Sequence, residues 1–486
     1  MEKREGLLDR LGKLRQGDPY PLHMPGHKRI PLPFPEPYSI DITEIDGFDN
    51  LHQPQGILKE LEERFATLYD CDICNLSVGG STDMLLTVIT AATEPGDSVI
   101  LARNCHKSVY HGAILRQLKC SYIYPPLSSE GICGPIDPQT LEKMLASRKG
   151  EGDPVRAFVL TSPTYEGVCS DVERISEVCH RYGVILIVDA AHGAHLGLRK
   201  ERKRLEHYFP ENPIHQGADG VILSLHKTLP SFTQTAALLM NNNSRIPKWK
   251  VDKYFDYFET SSPSYLLMGG MDACCRFLEE EGEAALREYV ERIQNIRRAV
   301  SSYTKVGFWE KESWEMDPGK LVITGEGLSG GEIMEQFREK EDLELEMCSL
   351  HHALAMTSVM DTVEGYDRLL KAMEHLQARA EKEKPEDDVK DRAGSMYLYD
   401  LRPKAKLPIS CSENMPIRWV NLEDAKGCMA GGLWSVYPPG IPLLVPGEIV
   451  GEDIIERLGA AGKEGLTLDG CRPDGRFPVI QEDERT

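Results

Sequence analysis

The chain has 486 residues, of which 41% are hydrophobic and 27% charged, as is typical of a globular protein with two to four domains. Its formal net charge of −21 argues against nucleic acid or an anionic membrane as a partner; it suits a soluble protein that binds cationic ligands, or one whose charge serves solubility alone. The sequence has no apolar run of membrane-spanning length, and its first residues do not resemble a signal peptide.

The cysteines predict a reducing compartment. There are thirteen, an odd number scattered through predicted strands and helices, which fits buried thiols in the cytoplasm better than a disulfide framework. Cys71 and Cys74 have the spacing of a redox or zinc motif, but no second pair or nearby histidine cluster completes it. We interpret this pair as structural and predict no metal site.

Residues 1–50 are predicted to form an N-terminal arm. The segment Pro21–Lys28 is too rich in proline and glycine for a helix, and it either presents polar residues to a site or wraps a partner subunit. Acidic residues are concentrated in Asp41–Asp49, as in a solvated loop or in a site for a cationic substrate. Residues 1–20 have the pattern of a short amphipathic helix, with an apolar stripe formed by Leu7, Leu8, Leu11 and Leu14.

Residues 51–303 are predicted to form a large domain, because short apolar strands alternate there with helices. This alternation indicates a largely parallel sheet with helices on both faces. Ligands of such sheets gather at the carboxyl ends of the strands. We therefore expect one site to be formed by residues that each follow a strand, namely Gly80, His106, Thr161, Asp189 and Lys227.

A phosphate group could be held at the first of these strand ends. The strand Asn75–Val78 is followed by the glycine-rich turn Gly79–Thr82 and then by a helix. Backbone N–H groups and hydroxyls converge at the positive end of such a helix, which makes Gly80, Ser81 and Thr82 candidates for anion binding. The same turn is also common in α/β proteins that bind no phosphate.

The chemistry of the site is predicted from Lys227 and Asp189. Lys227 follows the apolar strand Val221–Leu223, and Asp189 ends the strand Val184–Val188. A lysine that burial keeps neutral can attack an aldehyde, and pyridoxal phosphate (PLP) requires such a lysine together with a carboxylate for its pyridinium nitrogen. A lysine taken singly is more often a solvated loop residue, and it is the pairing with Asp189 that favours a PLP site.

Two smaller domains are predicted after the large one. Residues 304–380 again alternate strands with helices and predict a small α/β domain. Residues 381–394 form a charged linker, which is the clearest boundary in the sequence. Residues 395–486 are predicted to form a C-terminal domain that contains the rigid, proline-rich segment Val436–Glu448.

Taken together, the motifs resemble the Orn/Lys/Arg decarboxylase family in its shorter form, which lacks an N-terminal wing domain. The resemblance covers nearly the whole chain. It implies a PLP enzyme of the α/β, aspartate-aminotransferase-like fold (fold type I), with a PLP-binding large domain built on a mainly parallel sheet, a smaller α/β domain and a small C-terminal domain. The motifs that carry it are His23–Lys28, Asp41–Glu44, Cys105–Ser108, Thr161–Tyr165, Asp189–Gly193, Ser224–Thr228, Thr260–Tyr265, Tyr437–Pro442 and Pro446–Glu448.

The resemblance implies a role for each matching residue. Lys227 would bond to the aldehyde of PLP, and Asp189 would pair with the pyridinium nitrogen. Ala191 and His106 would pack on opposite faces of the ring, and His192 would lie close by. The phosphate would be held by Ser81, Thr82, Ser224 and His226.

The resemblance also implies an assembly and two departures from the family pattern. The active site of this fold forms at a dimer interface, so a homodimer or higher homo-oligomer is expected, with Thr260–Tyr265 reaching the neighbouring subunit's phosphate. Ala190 stands where members of this form usually have Glu, and Gly79 where they usually have Asn. Both positions flank contact residues, so cofactor binding is still expected, and the departures bear on substrate preference.

The implied reaction converts arginine, lysine or ornithine to the amine and CO2, with arginine favoured. Protonation at Cα of the substrate separates this reaction from transamination, and His192 and Lys227 are the candidate proton donors. The alternatives are another reaction of the same fold (transamination or Cα–Cβ cleavage), a PLP-binding regulator without catalysis, and an α/β protein without a cofactor. The cationic end of the substrate needs an acid, for which the candidates are Glu44, Asp46, Glu346 and Glu448.

Overall fold

The computed structural model describes residues 6–17, 19–198, 208–382, 397–412 and 414–481. Residues 383–394 of the predicted charged linker lie outside the described residues. The strands, in chain order, are β1 Tyr20–Leu22, β2 Ile73–Ser77, β3 Ser98–Ala102, β4 Lys119–Ile123, β5 Val155–Thr161, β6 Val168–Cys169, β7 Ile185–Asp189, β8 Gly220–Ser224, β9 Ala236–Met240, β10 Val306–Phe308, β11 Glu315–Met316, β12 Lys320–Gly325, β13 Leu343–Leu345, β14 Met347–Cys348, β15 Ala353–Met356, β16 Ile417–Val420, β17 Trp434–Tyr437, β18 Ile441–Leu444, β19 Thr467–Asp469 and β20 Phe477–Ile480.

The helices connect these strands and cover their faces. The predicted helical stretch from Met271 to Tyr303 is divided, because one helix ends at Glu280 and the next begins at Gly282. The helices are α1 Leu7–Gly17, α2 Pro37–Ile40, α3 Ile57–Tyr69, α4 Gly80–Ala92, α5 Lys107–Leu115, α6 Pro138–Gly150, α7 Val172–Tyr182, α8 Leu225–Thr228, α9 Lys248–Phe258, α10 Tyr265–Glu280, α11 Gly282–Val300, α12 Gly330–Glu341, α13 Val363–Lys382, α14 Ile409–Ser412 and α15 Glu452–Lys463, with a short 3₁₀ helix at Glu423–Ala425.

A seven-stranded sheet, in the order β2-β9-β8-β7-β5-β3-β4, lies at the centre of the large domain. Strands β3, β4, β5, β7 and β8 are parallel, and β9 runs antiparallel to both of its neighbours. Every residue of β7, β8 and β9 is buried. Strands covered on both faces are continuous apolar runs, which is why the sequence pattern of this sheet could be recognised.

Helix α7 is capped at both ends, and strand β7, which ends at Asp189, follows it closely. The side chain of the N-cap residue Asp171 accepts a hydrogen bond from the Arg174 N–H, and Gly183 ends the helix in the left-handed conformation. Strand β7 starts two residues later and ends at Asp189. In the register of β5 with β7, Thr161 lies directly beside Asp189, so two strand ends meet at one edge of the sheet.

The buried hydrophobic side chains form four clusters, and three of them centre on different parts of the chain. One lies around the seven-stranded sheet, a second around the antiparallel sheet β10-β12-β15-β14, and a third in the C-terminal region, where Trp434 packs on Phe477 at a centroid distance of 4.5 Å. Strand β1 pairs in parallel with β13, and Leu22 belongs to the second cluster. Part of the predicted N-terminal arm is therefore built into the small domain; the domain boundaries themselves remain predictions.

Helix α1 confirms the predicted N-terminal helix and leaves its apolar stripe uncovered. Leu7 and Leu8 are 74% and 83% exposed, and no residue of the helix is buried. Within this chain the helix is therefore not held by hydrophobic packing.

Candidate active site

A cleft of about 550 Å³ lies at the carboxyl ends of the parallel strands. It is open to solvent, and its walls come from the large domain and from the C-terminal region, which contributes Pro439 and Ile441. We call it the Lys227 cleft. Of the residues predicted to form the site, those that line it are Ser81, His106, Thr161, Asp189, Ala191, His192 and Lys227.

Lys227 lies in the short helix α8, which directly follows β8. Its Nζ lies 2.8 Å from His192 Nε2 and 5.5 Å from the centre of the Tyr165 ring. Desolvation lowers the pKa of the Lys227 amine, whereas the charges of Asp189 and Glu346 raise it, and the net direction is downward. The surroundings therefore favour a neutral, nucleophilic amine more than water does.

Asp189 ends β7 and is 3% exposed. Its Oδ1 accepts a hydrogen bond from the Ala191 N–H at 3.2 Å. Burial raises the pKa of the Asp189 carboxyl, and the charge of Lys227 and the Ala191 N–H counteract this only in part. A buried carboxylate in this position is stabilised by any cation that enters the cleft beside it.

His192 lies between two lysines. Its Nε2 faces Lys227, its Nδ1 lies 3.3 Å from Lys320 Nζ, and its ring packs on Tyr165 at a centroid distance of 4.1 Å. Burial, followed by the charges of Lys227 and Lys320, holds the pKa of His192 well below its usual range. The imidazole is therefore neutral, with one nitrogen that donates and one that accepts.

Lys320 was not identified from the sequence. It begins β12 of the small domain, is 1% exposed, and contacts His192 of the active site. Burial lowers the pKa of Lys320 to about 8, with the charge of Asp317 opposing and that of Lys227 reinforcing the shift. Lys320 is the first residue of a strand in a different predicted domain, and no sequence motif links it to His192.

His106 caps the helix α5 and lines the cleft opposite the C-terminal region. Its Nδ1 accepts from the Ser108 N–H and lies 2.8 Å from Ser108 Oγ. Gly440 adopts a φ of +79°, and a Cβ built there would lie 3.5 Å from His106 Nε2, so the C-terminal segment closes over this ring. Burial lowers the pKa of His106 to about 3, which keeps the imidazole neutral.

The predicted phosphate residues surround the start of α4 and the end of β8. Gly80 begins the helix with a φ of +84°, Ser81 lines the cleft, and Thr82 is exposed on the first turn. Ser224 Oγ is buried without a hydrogen-bond partner among the described residues. His226 Nδ1 lies 3.2 Å from Thr235 O, and burial lowers the pKa of His226 to about 4.

The structure shows what surrounds Gly79 and Ala190, the two positions that depart from the family pattern. A Cβ at Gly79 would lie 1.4 Å from Asp83 Oδ2, so an asparagine fits there only if the Asp83 side chain moves. Burial and the charge of Glu259 raise the pKa of Asp83 to about 6. Ala190 is fully buried, and a glutamate in its place would add a buried carboxylate next to Ala191, which lines the cleft.

The proline- and glycine-rich segment of the arm packs against the short helix α8, which contains Lys227. The Gly26 N–H donates to His226 O at 2.8 Å, and Ser358 Oγ donates to Gly26 O at 2.6 Å. A Cβ at position 26 would lie 2.7 Å from Leu229 O, so the contact requires glycine. The segment therefore packs beside Lys227 within its own chain, and both predicted alternatives, polar residues presented to a site and an arm around a partner subunit, stay predictions.

Of the four candidate acids, Glu346 lies near Lys227. Glu346 accepts from the Tyr165 hydroxyl and from the Met24 N–H, both at 2.8 Å, and its charge raises the pKa of Lys227. Glu448 is paired with the buried Arg103 at 3.1 Å. Glu44 lies near Tyr265 and Asp46 is exposed, so neither faces the Lys227 cleft.

One acid that lines the cleft was missed. Glu166 is 5% exposed and follows Tyr165 in the loop after β5. The sequence contained a signal for it, since it is an acid just beyond a strand end of the parallel sheet. Thr260, Ser261 and Ser262 of the predicted interface loop are exposed, and their reach to a neighbouring subunit stays a prediction.

The residues of the cleft fit PLP. Its volume is in the usual range for small-molecule sites, and it holds a lysine and a carboxylate whose charges act on each other. Three buried polar atoms around it have no hydrogen-bond partner among the described residues, which is the condition expected where a polar ligand binds. They are Asn104 Oδ1, Thr161 Oγ1 and Ser224 Oγ.

Comparisons with known proteins extend these observations. Residues 34–343 match the family described as Orn/Lys/Arg decarboxylase, major domain, and residues 408–472 match its C-terminal domain. The chain is 28% identical over 485 residues to the arginine decarboxylase of Bacillus subtilis (strain 168), covering 96% of this chain and 95% of that protein.

Two solved structures show the fold. Lysine decarboxylase A from Pseudomonas aeruginosa superimposes with a TM-score of 0.76 at 20% identity, covering 91% of this chain and 74% of that one. Alanine–glyoxylate aminotransferase from Nostoc sp. superimposes with a TM-score of 0.52 at 14% identity, covering 65% of this chain and 85% of that one. At these identities the likeness concerns the fold alone, and it confirms the predicted α/β architecture of fold type I.

Two further expectations concern thiols and membranes. All thirteen cysteines lie in the described ranges and are free, and burial raises the pKa of both Cys71 and Cys74. Within the described ranges, none of the helices combines the length and the apolar character that crossing a membrane requires.

Proposed function

Because the chain belongs to the Orn/Lys/Arg decarboxylase family of PLP-dependent enzymes, we propose that it binds PLP through Lys227 and decarboxylates a basic amino acid, arginine in preference to lysine or ornithine. One observation carries the proposal. A single cleft brings together Lys227, Asp189, His106 and His192, which come from the ends of three strands, β8, β7 and β3, of one mainly parallel sheet.

The chain's own residues would hold the cofactor in defined ways. Lys227 would bond to the aldehyde, and Asp189 would keep the pyridinium nitrogen protonated. His106 and Ala191 would pack on the two faces of the ring. The phosphate would be held by Gly80, Ser81, Thr82, Ser224 and His226.

When bound, PLP supplies an electron sink for the electron pair that is left as CO2 departs. The protein must then deliver a proton to Cα of the substrate. His192 and Lys227 are the groups in position, since Nε2 and Nζ lie 2.8 Å apart at the cleft wall. His192 has Lys320 on its other nitrogen, so a proton that leaves Nε2 can be replaced without opening the cleft to water.

Arginine is proposed from the named relative that covers nearly the whole chain. The fold neighbour named as a lysine decarboxylase makes lysine the main competitor. We further propose a cytoplasmic enzyme, supported by thirteen free cysteines, and a homodimer or larger homo-oligomer, supported by the exposed loop that begins at Thr260.

The test is direct. Protein purified with PLP is expected to show a visible absorption band and to release ¹⁴CO2 from carboxyl-labelled arginine, with formation of one amine for each CO2. Lysine and ornithine are measured in parallel. Formation of a keto acid without CO2 would contradict the proposal in favour of transamination, and a cofactor band without turnover of any amino acid would indicate a regulator.

A further inference from the structure

A second cavity, of about 390 Å³, adjoins the Lys227 cleft. Glu166 and Pro439 line both, so the two spaces share a wall. The second cavity is bounded by the loop after β5, by the turn between β14 and β15, and by the C-terminal region. We call it the Glu166 cavity; its polar residues include Glu130, Glu166, His352 and Tyr399.

Polar atoms of the Glu166 cavity lack partners. Glu130 Oε2, His352 Nε2 and the Tyr399 hydroxyl are buried and make no hydrogen bond within the described part of the chain. His352 is 2% exposed, and its Nε2 lies 3.9 Å from Glu166 Oε1, beyond hydrogen-bond distance. Buried polar groups are nearly always satisfied in folded proteins, so several orphans that line one cavity indicate a missing polar ligand.

The ionisable groups of the cavity favour a positively charged ligand. Burial raises the pKa of Glu166, and its hydrogen bonds and the charge of Lys320 offset this only in part. Burial also lowers the pKa of His352 to about 4, so this imidazole carries no compensating positive charge. Within the described residues neither Glu130 nor Glu166 forms a salt bridge to a lysine or arginine, so a cation that enters the cavity would pair with them.

The hydrogen-bonding pattern selects the shape of that cation. His352 Nδ1 lies 2.9 Å from Ser349 Oγ, and a neutral ring that donates this bond presents Nε2 as an acceptor. Together with the carboxylates of Glu130 and Glu166, the cavity then offers acceptors on several sides. A guanidinium group carries five N–H donors in a plane, whereas an ammonium group carries three on one atom.

We propose that the Glu166 cavity is the subsite for the guanidinium group of the substrate and that Glu166 is its principal carboxylate. The inference rests on the proposed decarboxylase function, because the substrate's reacting end must occupy the adjoining Lys227 cleft. The unbranched side chain would pass the shared wall at Glu166 and Pro439. Glu346, the acid nearest Lys227, is engaged by Tyr165 and Met24 and is not assigned this role.

The main test is Glu166→Gln, which keeps the size of the side chain and removes its charge. We expect kcat/KM for arginine to fall by about 30-fold or more, mainly through KM, because one partner of a buried charge pair is lost. The rate with norleucine, whose side chain has no charge, is expected to change less than threefold. Glu151→Gln, an exposed glutamate at the end of α6, serves as the matched control and is expected to change neither value.

A binding measurement provides a readout that does not depend on turnover. Titration of the PLP-loaded protein with 1-butylguanidine is expected to show binding that Glu166→Gln weakens at least tenfold, while butylamine binds more weakly than butylguanidine to the wild type. Because a carboxyl with a raised pKa ionises when a cation binds, proton release is expected and appears as a dependence of the heat on the buffer.

The outcomes separate the two proposals. If the wild type decarboxylates arginine but Glu166→Gln keeps the wild-type selectivity and butylguanidine affinity, the assignment of the subsite is wrong and the proposed function stands. A selectivity loss in Glu346→Gln but not in Glu166→Gln would overturn the assignment in the same way, as would tighter binding of butylamine. If the wild type decarboxylates none of the three amino acids, the proposed function fails, and the butylguanidine titration alone decides the subsite.

Discussion

The two ends of the active-site region differ in how their polar groups are satisfied. In the Lys227 cleft, the functional groups contact each other: Lys227 faces His192, and His192 faces Lys320. In the Glu166 cavity, buried oxygens and an imidazole nitrogen have no hydrogen-bond partner within the described ranges, and the charge of Lys320 offsets only part of the rise that burial causes in the pKa of Glu166. At the first end the titratable groups contact each other, while the side-chain oxygens of Asn104, Thr161 and Ser224 lack partners among the described residues. At the second end the titratable groups Glu130, His352 and Tyr399 each have a polar atom without a partner there.

The difference corresponds to two tasks. Groups that must change protonation during a reaction are buried beside one another: burial lowers the pKa values of Lys227 and His192, and the charges of Lys227 and Lys320 lower that of His192 further. Groups that must recognise a ligand are left with free hydrogen-bonding capacity, and they reject a substrate that does not complete it. Mutations at the first end should therefore affect kcat, and mutations at the second should affect KM and selectivity.

The largest expected effect is that of Lys227→Ala, which removes the amine from the first end. We expect loss of the visible absorption band and of all measurable ¹⁴CO2 release, because Lys227 is the lysine whose charge acts on Asp189. The far-ultraviolet circular dichroism should remain that of the wild type. Retention of full activity would contradict the role of this lysine.

Asp189→Asn should have the next largest effect. It keeps the shape of the side chain but removes the negative charge, so we expect kcat to fall by about two to four orders of magnitude, equivalent to about 3–5 kcal/mol. Cofactor binding should weaken less than turnover. Asp219→Asn is the control, since this buried aspartate at the opposite end of β8 accepts the Leu186 and Arg245 N–H groups and should affect stability but not kcat.

Lys320→Met should have a smaller effect that depends on pH. Burial and the charges of Lys227 and Lys320 lower the pKa of His192, so removing Lys320 moves this pKa back toward its usual value. A neutral His192 is lost as the pH falls through that pKa; hence the acid limb of kcat/KM should shift to higher pH, with less than about a tenfold loss at neutral pH. Lys320→Arg should preserve the wild-type profile.

A second readout distinguishes this effect from a structural one. The ¹⁵N chemical shifts of the His192 ring report its protonation, and they should titrate at a higher pH in Lys320→Met than in the wild type. An unshifted acid limb together with unchanged ring titration would show that Lys320 has no influence on His192.

Much of the Lys227 cleft could be predicted from the sequence, for a physical reason. The parallel strands are continuous apolar runs, and their carboxyl ends meet at one edge, so Asp189 and Lys227 could be placed together without coordinates. His106 followed from the same argument. The phosphate residues Gly80, Ser81 and Ser224 could be proposed from the glycine-rich turn and from the family motifs, and their roles remain proposals.

The Glu166 cavity and Lys320 could not be predicted, because chain folding rather than spacing brings them to the site. Lys320 begins a strand of the small domain, and His352 and Tyr399 come from two further regions of the chain. Conversely, the acids of residues 41–49 form a conspicuous cluster in the sequence, yet Asp46 is exposed and Glu44 lies near Tyr265. An acidic cluster indicates charge but not which side chain faces a cavity.

The central claim, that Lys227 and not another buried lysine holds the cofactor, can be measured most directly by chemical labelling. Lys28 and Lys320 are also desolvated, and burial lowers the pKa of both. Reduction of the PLP-loaded protein with borohydride, followed by peptide mass spectrometry, should place the phosphopyridoxyl group on the peptide that contains Lys227. A label on Lys28 or Lys320, or no label on any lysine, would contradict the account.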